Sequence, residues 1–271
     1  MGSEGTLAIT TEITVKLLPK PQAIVTMLVL LPDLKTAGRA VSAALSRGFL
    51  PRCVEMMDSI TLDILRDSGS LPFSQPAGAL LLVELDGDEH ELTEKLERCG
   101  NAMDESGALE VLVAQHSGER EKLWASRREL SRALRARAAF KLAEDVVVPR
   151  NRIPDLIEGC RAISERFNIL MPSYGHAGDG NIHVNFLWND EADKPRVDAA
   201  IKALFENVIA LGGTLSGEHG IGILKAPYLE LEQAPGLIAL QEQIKTVFDP
   251  TGILNPGKIF PGHLARFHGP C

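Results

Sequence analysis

The chain has 271 residues, 45% of them hydrophobic, with a formal net charge of −8 and a pI near 5.4. That much apolar material can bury a substantial core in one large domain or two small ones, while the acidic balance argues against nonspecific binding of nucleic acid or anionic lipid. Cys53, Cys99, Cys160 and Cys271 form no close pair, so neither a disulfide framework nor an iron–sulfur site is indicated, and a reducing cytoplasmic setting is expected.

No charged, apolar and small-residue leader is expected, and the apolar run 24–31 is too short to span a bilayer. That run predicts a strand. Asp33 then caps a helix that continues to Arg47 and stops at Gly48, and residues 50–57 predict the next strand. A Pro, Gly and Ser-rich linker, 68–78, leads into a second round: a strand at 79–85, a helix at 89–105 with Leu92, Leu96 and Cys99 on one side, and a strand at 109–114. Two successive strand-helix-strand units give the expected fold class, α+β with a ferredoxin-like split βαβ over residues 22–115 and an antiparallel sheet. A mixed helical and strand segment should follow: helices at 119–140 and 154–167, a strand at 145–148, a strand pair near residue 183, and a helix at 196–211 closed by Gly212.

The helix at 119–140 has an unusual inner face. At about 100° per residue, Leu123, Leu130 and Leu134 form one stripe and Arg127 falls within it, whereas Arg128, Arg132 and Arg135 lie opposite and are expected to be solvated. A guanidinium on a buried face needs an anion. A bound carboxylate or an internal Asp or Glu would each serve.

The richest stretch is Tyr174-Gly-His-Ala-Gly-Asp-Gly-Asn-Ile-His183-Val-Asn185, read together with Ser216-Gly-Glu-His-Gly220. Strand periodicity puts His183 and Asn185 on one face, and Gly175, Gly178 and Gly180 supply a turn that can bring His176 round to it. Glu218 completes two nitrogens and one oxygen, the protein ligand count of a catalytic zinc site with an open position. Zn, Mn, Fe and Co all accept such a set, and zinc is the expectation. His219 is left free as a base. His263 and His268 are expected to be ordinary tail residues.

The blocks His176-Ala-Gly-Asp-Gly-Asn-Ile-His183, Gly217-Glu-His-Gly-Ile-Gly222 and Asp249-Pro-Thr-Gly-Ile-Leu-Asn-Pro-Gly-Lys258 resemble the C-terminal domain of flavin-linked 2-hydroxy-acid dehydrogenases of the vanillyl-alcohol oxidase type. That family includes D-lactate and D-2-hydroxyglutarate dehydrogenases and the glycolate oxidase catalytic subunit. Gly2-Ser-Glu-Gly-Thr-Leu-Ala-Ile9 and Leu17-Leu-Pro-Lys-Pro21 resemble the last strands of the family's FAD-binding domain, with Ala8 where glycine is usual. The resemblance implies a remnant of that domain at 1–21, a cap or substrate domain at 22–240, and a segment at 241–271 that packs on the FAD domain. The chain is thus expected to be a fragment, inactive alone and binding FAD weakly or not at all. No Gly-x-Gly-x-x-Gly after a strand or phosphate-binding Gly-Lys-Ser/Thr loop stands in for the rest.

For the complete enzyme the resemblance implies oxidation of a 2-hydroxy acid to a 2-oxo acid. Leu123-Trp-Ala-Ser-Arg127 matches the family pattern that assigns Arg127 to the substrate carboxylate, with Ser131 one turn on as a helper. A metal on His176, His183 and Glu218 would acidify the hydroxyl, His219 would take its proton, Asn185 would hydrogen-bond the substrate, and FAD would accept hydride. Lys225, Asn255 and Lys258 occupy positions that sit near the flavin or close the domain against it. Where some relatives carry a substrate-contacting lysine, this chain has Ala143, with Lys141 two residues earlier, which favours a monocarboxylate such as lactate or glycolate. Two other readings stand beside this one: a non-catalytic partner-binding module and a metal-dependent hydrolase. An apolar face left by the FAD domain would support self-association.

Overall fold

The computed structural model describes residues 2–260 apart from 49, 72, 74 and 115. His263, His268 and Cys271 lie outside the described residues. The first half runs β1 (Ala23–Leu31), α1 (Leu34–Ser46), β2 (Cys53–Asp58), α2 (Ser59–Asp67), β3 (Ala79–Gly87), α3 (Glu89–Glu105) and β4 (Glu110–Val113). The second runs α4 (Ser117–Arg137), β5 (Phe140–Val147), α5 (Ile153–Phe167), β6 (Ser173–His176), β7 (Asn181–Trp188), α6 (Lys194–Ala210) and α7 (Pro235–Phe248).

All seven strands join one sheet in the order β4-β1-β3-β2-β6-β7-β5, and each pairing between them is antiparallel. The β4-β1-β3-β2 half is the expected split βαβ, and β2 is not its edge. There β2 pairs with β6, setting Glu55 opposite His176. That junction builds the site.

β1 and β3 are almost continuously apolar because helices cover both faces. Met27, Val29, Leu81 and Val83 join a core with α1, α3, α5 and α6, and Leu28, Leu30, Leu80 and Leu82 join a second core with α2 and α4. Asp33 caps α1 through Thr36 N, and Leu92, Cys99 and Met103 of α3 are buried. On the α4 face, buried Glu84 accepts from Thr26 Oγ1 at 2.9 Å, Trp124 Nε1 at 2.8 Å and Arg120 Nε at 3.1 Å. Arg52 Nε approaches it at 3.2 Å. This buried anion pins the first turns of α4 to the sheet and sets the direction of Arg127 further along. The outward arginines make exposed pairs, Arg128 with Glu121 and Arg132 with Glu129.

Some element bounds differ from the sequence reading. Residues 50–52 do not belong to β2, and α2, with Asp58 as its N-cap, follows directly. β5 begins at Phe140 instead of 145 because its whole length pairs with β7. The helix α7 runs across position 240.

Candidate functional site

β6 and β7 form a hairpin whose register places His176 opposite Asn181 and Tyr174 opposite His183. Cross-strand partners share a face, so the two histidines are diagonal neighbours despite their odd separation along the chain. The turn depends on glycine. Gly180 has φ +89°, and a Cβ there would lie 2.1 Å from Val148 O; at Gly175 it would lie 2.5 Å from Asn181 O. The His176 and His183 rings meet edge to face with centroids 5.4 Å apart.

Glu218 arrives from the loop after α6. Its Oε1 lies 3.3 Å from His183 Nε2 and 3.7 Å from His176 Nε2, and the three donor atoms fall within 4.8 Å of one another. Ligand bonds of about 2.0–2.2 Å in tetrahedral geometry set donors about 3.3–3.6 Å apart, close to the two separations from Glu218 Oε1. Burial, reinforced by His176 and Arg127, depresses His183 to about 4, so its ring is neutral at pH 7 and offers a lone pair. His219 stacks on His183 at 5.4 Å, its Nδ1 3.5 Å from Asp145 Oδ1. Its side chain is 51% exposed, so a proton taken up there can reach solvent.

Two carboxylates that the sequence reading did not single out organise this arrangement. Glu55, on β2, has a side chain only 4% exposed; its Oε1 meets His176 Nδ1 at 2.5 Å and its Oε2 accepts from Arg127 Nε at 2.6 Å. Opposite a carboxylate, His176 Nδ1 carries the proton and Nε2 keeps the lone pair that faces Glu218. Asp145, fully buried on β5, accepts from the backbone N–H groups of Gly217 at 2.9 Å, Glu218 at 2.6 Å and His219 at 3.0 Å. Burial alone would raise its carboxyl, but Lys225 and those amides outweigh it and hold it near 2. An acidic residue among apolar strand neighbours is the signal by which both could have been noticed, Glu55 by itself in Cys53-Val-Glu-Met-Met57 and Asp145 beside Glu144.

The inward turn of Arg127 is as expected, and its Nε takes the internal partner, Glu55. Among the described residues its terminal guanidinium nitrogens have no hydrogen bond, and the group lies 4.8 Å over the Tyr174 ring. Ser131 Oγ accepts from Lys141 Nζ at 3.3 Å. Asn185 is fully buried, its Nδ2 donating to Pro172 O at 3.2 Å and His183 O at 3.3 Å; its Oδ1 has no partner among the described residues. The expectation of Lys225 near a flavin is corrected: it is buried, and Nζ donates to Asp145 O at 2.8 Å, to Leu215 O at 2.8 Å and to Asp145 Oδ1. An ammonium spent on three internal acceptors serves as an anchor for the Glu218 loop. Asn255 Nδ2 donates to Glu4 O at 2.5 Å, and Lys258 N closes a turn onto Asn255 O at 3.2 Å.

The class of protein comes from comparison with known chains, and this sheet and cluster are what it has to account for. Residues 20–259 match the family described as FAD linked oxidases, C-terminal domain, and the chain belongs to that family. It is 36% identical over 262 residues to glycolate oxidase subunit GlcD of Bacillus subtilis (strain 168), covering 96% of this chain and 56% of that one. It is 33% identical over 269 residues to a D-lactate dehydrogenase of Anaerostipes hadrus, covering 96% and 57%. The chain therefore spans about half the length of the curated relatives it matches. Among solved structures, p-cresol methylhydroxylase with substrate bound superposes with a TM-score of 0.69 at 12% identity over 89% of this chain and 53% of that one. Alkyldihydroxyacetonephosphate synthase gives 0.64 at 18% identity, over 94% and 49%. At such identities the likeness is one of fold.

Proposed function

We propose that this chain forms the substrate-side half of a FAD-dependent oxidoreductase that converts a small 2-hydroxy acid, of the lactate or glycolate kind, to its 2-oxo acid. The observation that carries this reading is the convergence of His176 Nε2, His183 Nε2 and Glu218 Oε1 within 4.8 Å, on the sheet face that also presents Arg127. The relatives named for glycolate and D-lactate oxidation support the substrate class.

A divalent cation, zinc by expectation, would sit on those three atoms and lower the pKa of a hydroxyl bound at its open position. FAD, held by a preceding half, would accept the hydride from the α-carbon. This chain's residues do the rest. Arg127 keeps its guanidinium fixed through Glu55 and offers its free edge to the substrate carboxylate. His219 receives the hydroxyl proton and passes it to solvent. Asn185, expected to touch the substrate, is instead fully buried with Nδ2 on Pro172 O and His183 O, so its part is to hold β7 beneath the site. Asp145 and Lys225 hold the Glu218–His219 segment so that little reorganisation accompanies the reaction.

One observation favours a second reading, a dicarboxylic hydroxy acid. Lys141 shares the face of Ala143 and Asn185, and its contact with Ser131 puts a cation one helical turn beyond Arg127. Burial, with help from Arg135, lowers the Lys141 pKa.

The exposed apolar surface suits a flavin-binding half as the main partner. On α7, Leu237, Leu240, Ile244, Val247 and Phe248 are exposed and only Lys245 is buried. The five apolar side chains fall within about 100° of the helix circumference. Ile223, Leu224 and Ile253 are exposed as well, and self-association through the α7 face is the expected behaviour of the chain alone. Among the described residues no helix is long and apolar enough to cross a membrane, and free Cys53, Cys99 and Cys160 fit a cytoplasmic protein.

The test is metal content and dye-coupled oxidation of D-lactate, glycolate and D-2-hydroxyglutarate, run on this chain and on a longer polypeptide that includes a flavin-binding half. The longer protein should be yellow, contain zinc and turn over a 2-hydroxy acid, and the 271-residue chain should be colourless and inactive. Turnover by the colourless chain would end the flavin reading.

A further inference from the structure

The segment from Gly217 to Gly222 carries Glu218 and His219, and it is slung between two carboxylates. Asp145 Oδ2 takes the amides of Gly217, Glu218 and His219. The next pair belongs to Glu4: Ile221 N donates to its Oε1 at 2.6 Å and Gly222 N to its Oε2 at 2.8 Å. Asp145 is part of the sheet, whereas Glu4 lies more than two hundred residues away in the segment that resembles the end of a flavin-binding domain.

Glu4 is itself presented by a built turn. Thr6 N and Thr6 Oγ1 both donate to Ser3 O, at 2.9 and 2.7 Å, and Glu4 and Gly5 take φ values of +50° and +70°. Asn255 Nδ2 anchors the turn through Glu4 O at 2.5 Å. The approach is close: a Cβ on Gly5 would lie 2.6 Å from Asn255 Nδ2, and one on Gly220 2.7 Å from Glu4 Cδ, so either would displace the side chains that make these contacts. Three blocks far apart in sequence, residues 3–6, 220–222 and 255, thus meet through one glutamate.

We propose that Glu4 is a positioning residue for the cation-binding loop, coupling the polypeptide half that carries residues 2–6 to Glu218 and His219. This rests on the reading of His176, His183 and Glu218 as a cation site. A carboxylate that accepts from two adjacent amides makes charge-assisted bonds and fixes the peptide planes between them. Without it the loop keeps only its Asp145 anchor, and the half-exposed Glu218 must be ordered when the cation binds.

The test is a zinc titration of the 271-residue chain as wild type, Glu4→Ala, Asn255→Ala and the double variant, with amide hydrogen exchange on the metal-free proteins. Glu4→Ala should weaken zinc about tenfold, the order seen when a residue supporting a metal ligand is lost. Asn255→Ala should weaken it less, and the double variant no more than Glu4→Ala alone, because both changes release the same turn. Exchange at Ile221 and Gly222 should accelerate at least about tenfold in Glu4→Ala, with Gly217 to His219 unchanged and the thermal midpoint held. Zinc affinity and exchange both equal to wild type in Glu4→Ala would overturn the proposal, as would additive losses in the double variant. A wild-type chain that takes up no zinc would end the cation reading, and exchange at Ile221 and Gly222 would still decide the role of Glu4.

Discussion

Replacing Glu55 by glutamine isolates the link between the His176 imidazole and Arg127. The carboxylate is 4% exposed and gives one oxygen to His176 Nδ1 and the other to Arg127 Nε. Glutamine has the same shape but one acceptor and one donor. If its oxygen stays with Arg127, the NH₂ group faces His176 Nδ1, favours the tautomer with hydrogen on Nε2, and removes the lone pair directed at Glu218. The reverse arrangement would set the NH₂ group against the donor-only guanidinium, which has no tautomer to adapt with, so it is disfavoured. Either way one charge-assisted hydrogen bond goes, at about 1.5–3 kcal/mol. Loss of a residue that orients a metal ligand costs about 10–100-fold in affinity, which converts to about 1.4–2.7 kcal/mol. The two figures agree. Competition titration of zinc against a chromophoric chelator at pH 7.5 should show an affinity at least about tenfold weaker in Glu55→Gln. Retention within about threefold of wild type, alongside loss in Glu218→Gln, would refute the claim that Glu55 orients the ligand.

Two further predictions concern stability. Glu144 is 4% exposed, and burial pushes its carboxyl up to about 7 despite Lys225 at 3.7 Å. A raised folded pKa means that its contribution is fully present below the unfolded value near 4.5 and is lost as pH rises through 7. Between pH 4.5 and 8, Glu144→Gln should therefore gain on wild type in urea unfolding by up to about 3 kcal/mol, and a constant separation between the two proteins would contradict this. Gly180→Ala would combine φ +89° with a Cβ 2.1 Å from Val148 O. It should cost at least about 2 kcal/mol of unfolding free energy and weaken zinc with it; a variant as stable as wild type would show that the hairpin accommodates a side chain.

The fold was legible where local pattern and tertiary role coincide. Residues 24–31 and 79–85 are continuous apolar runs because both faces of the sheet are covered, and 89–105 reads as a helix because Leu92 and Cys99 recur at helical spacing. The short α2 escaped notice: nine residues give little periodicity, and the strand before it hides the cap at Asp58. β5 was read late because its first residues lie at the sheet edge, half-buried and without strict alternation. In the site, His176, His183 and Glu218 announce themselves through glycine-spaced blocks. Glu55 does not, since its meaning comes from the β2–β6 pairing with a residue 121 positions away. The sequence left two partners open for Arg127. The structure gives Nε to a glutamate, and among the described residues the terminal nitrogens have no hydrogen bond, so the internal partner leaves room for the proposed carboxylate.

The most direct test of the central claim is zinc stoichiometry by isothermal titration of the wild-type chain against the His176→Ala, His183→Ala, Glu218→Ala triple variant. The account predicts one ion per wild-type chain and none in the variant. Equal uptake by both proteins, or none by either, would contradict it.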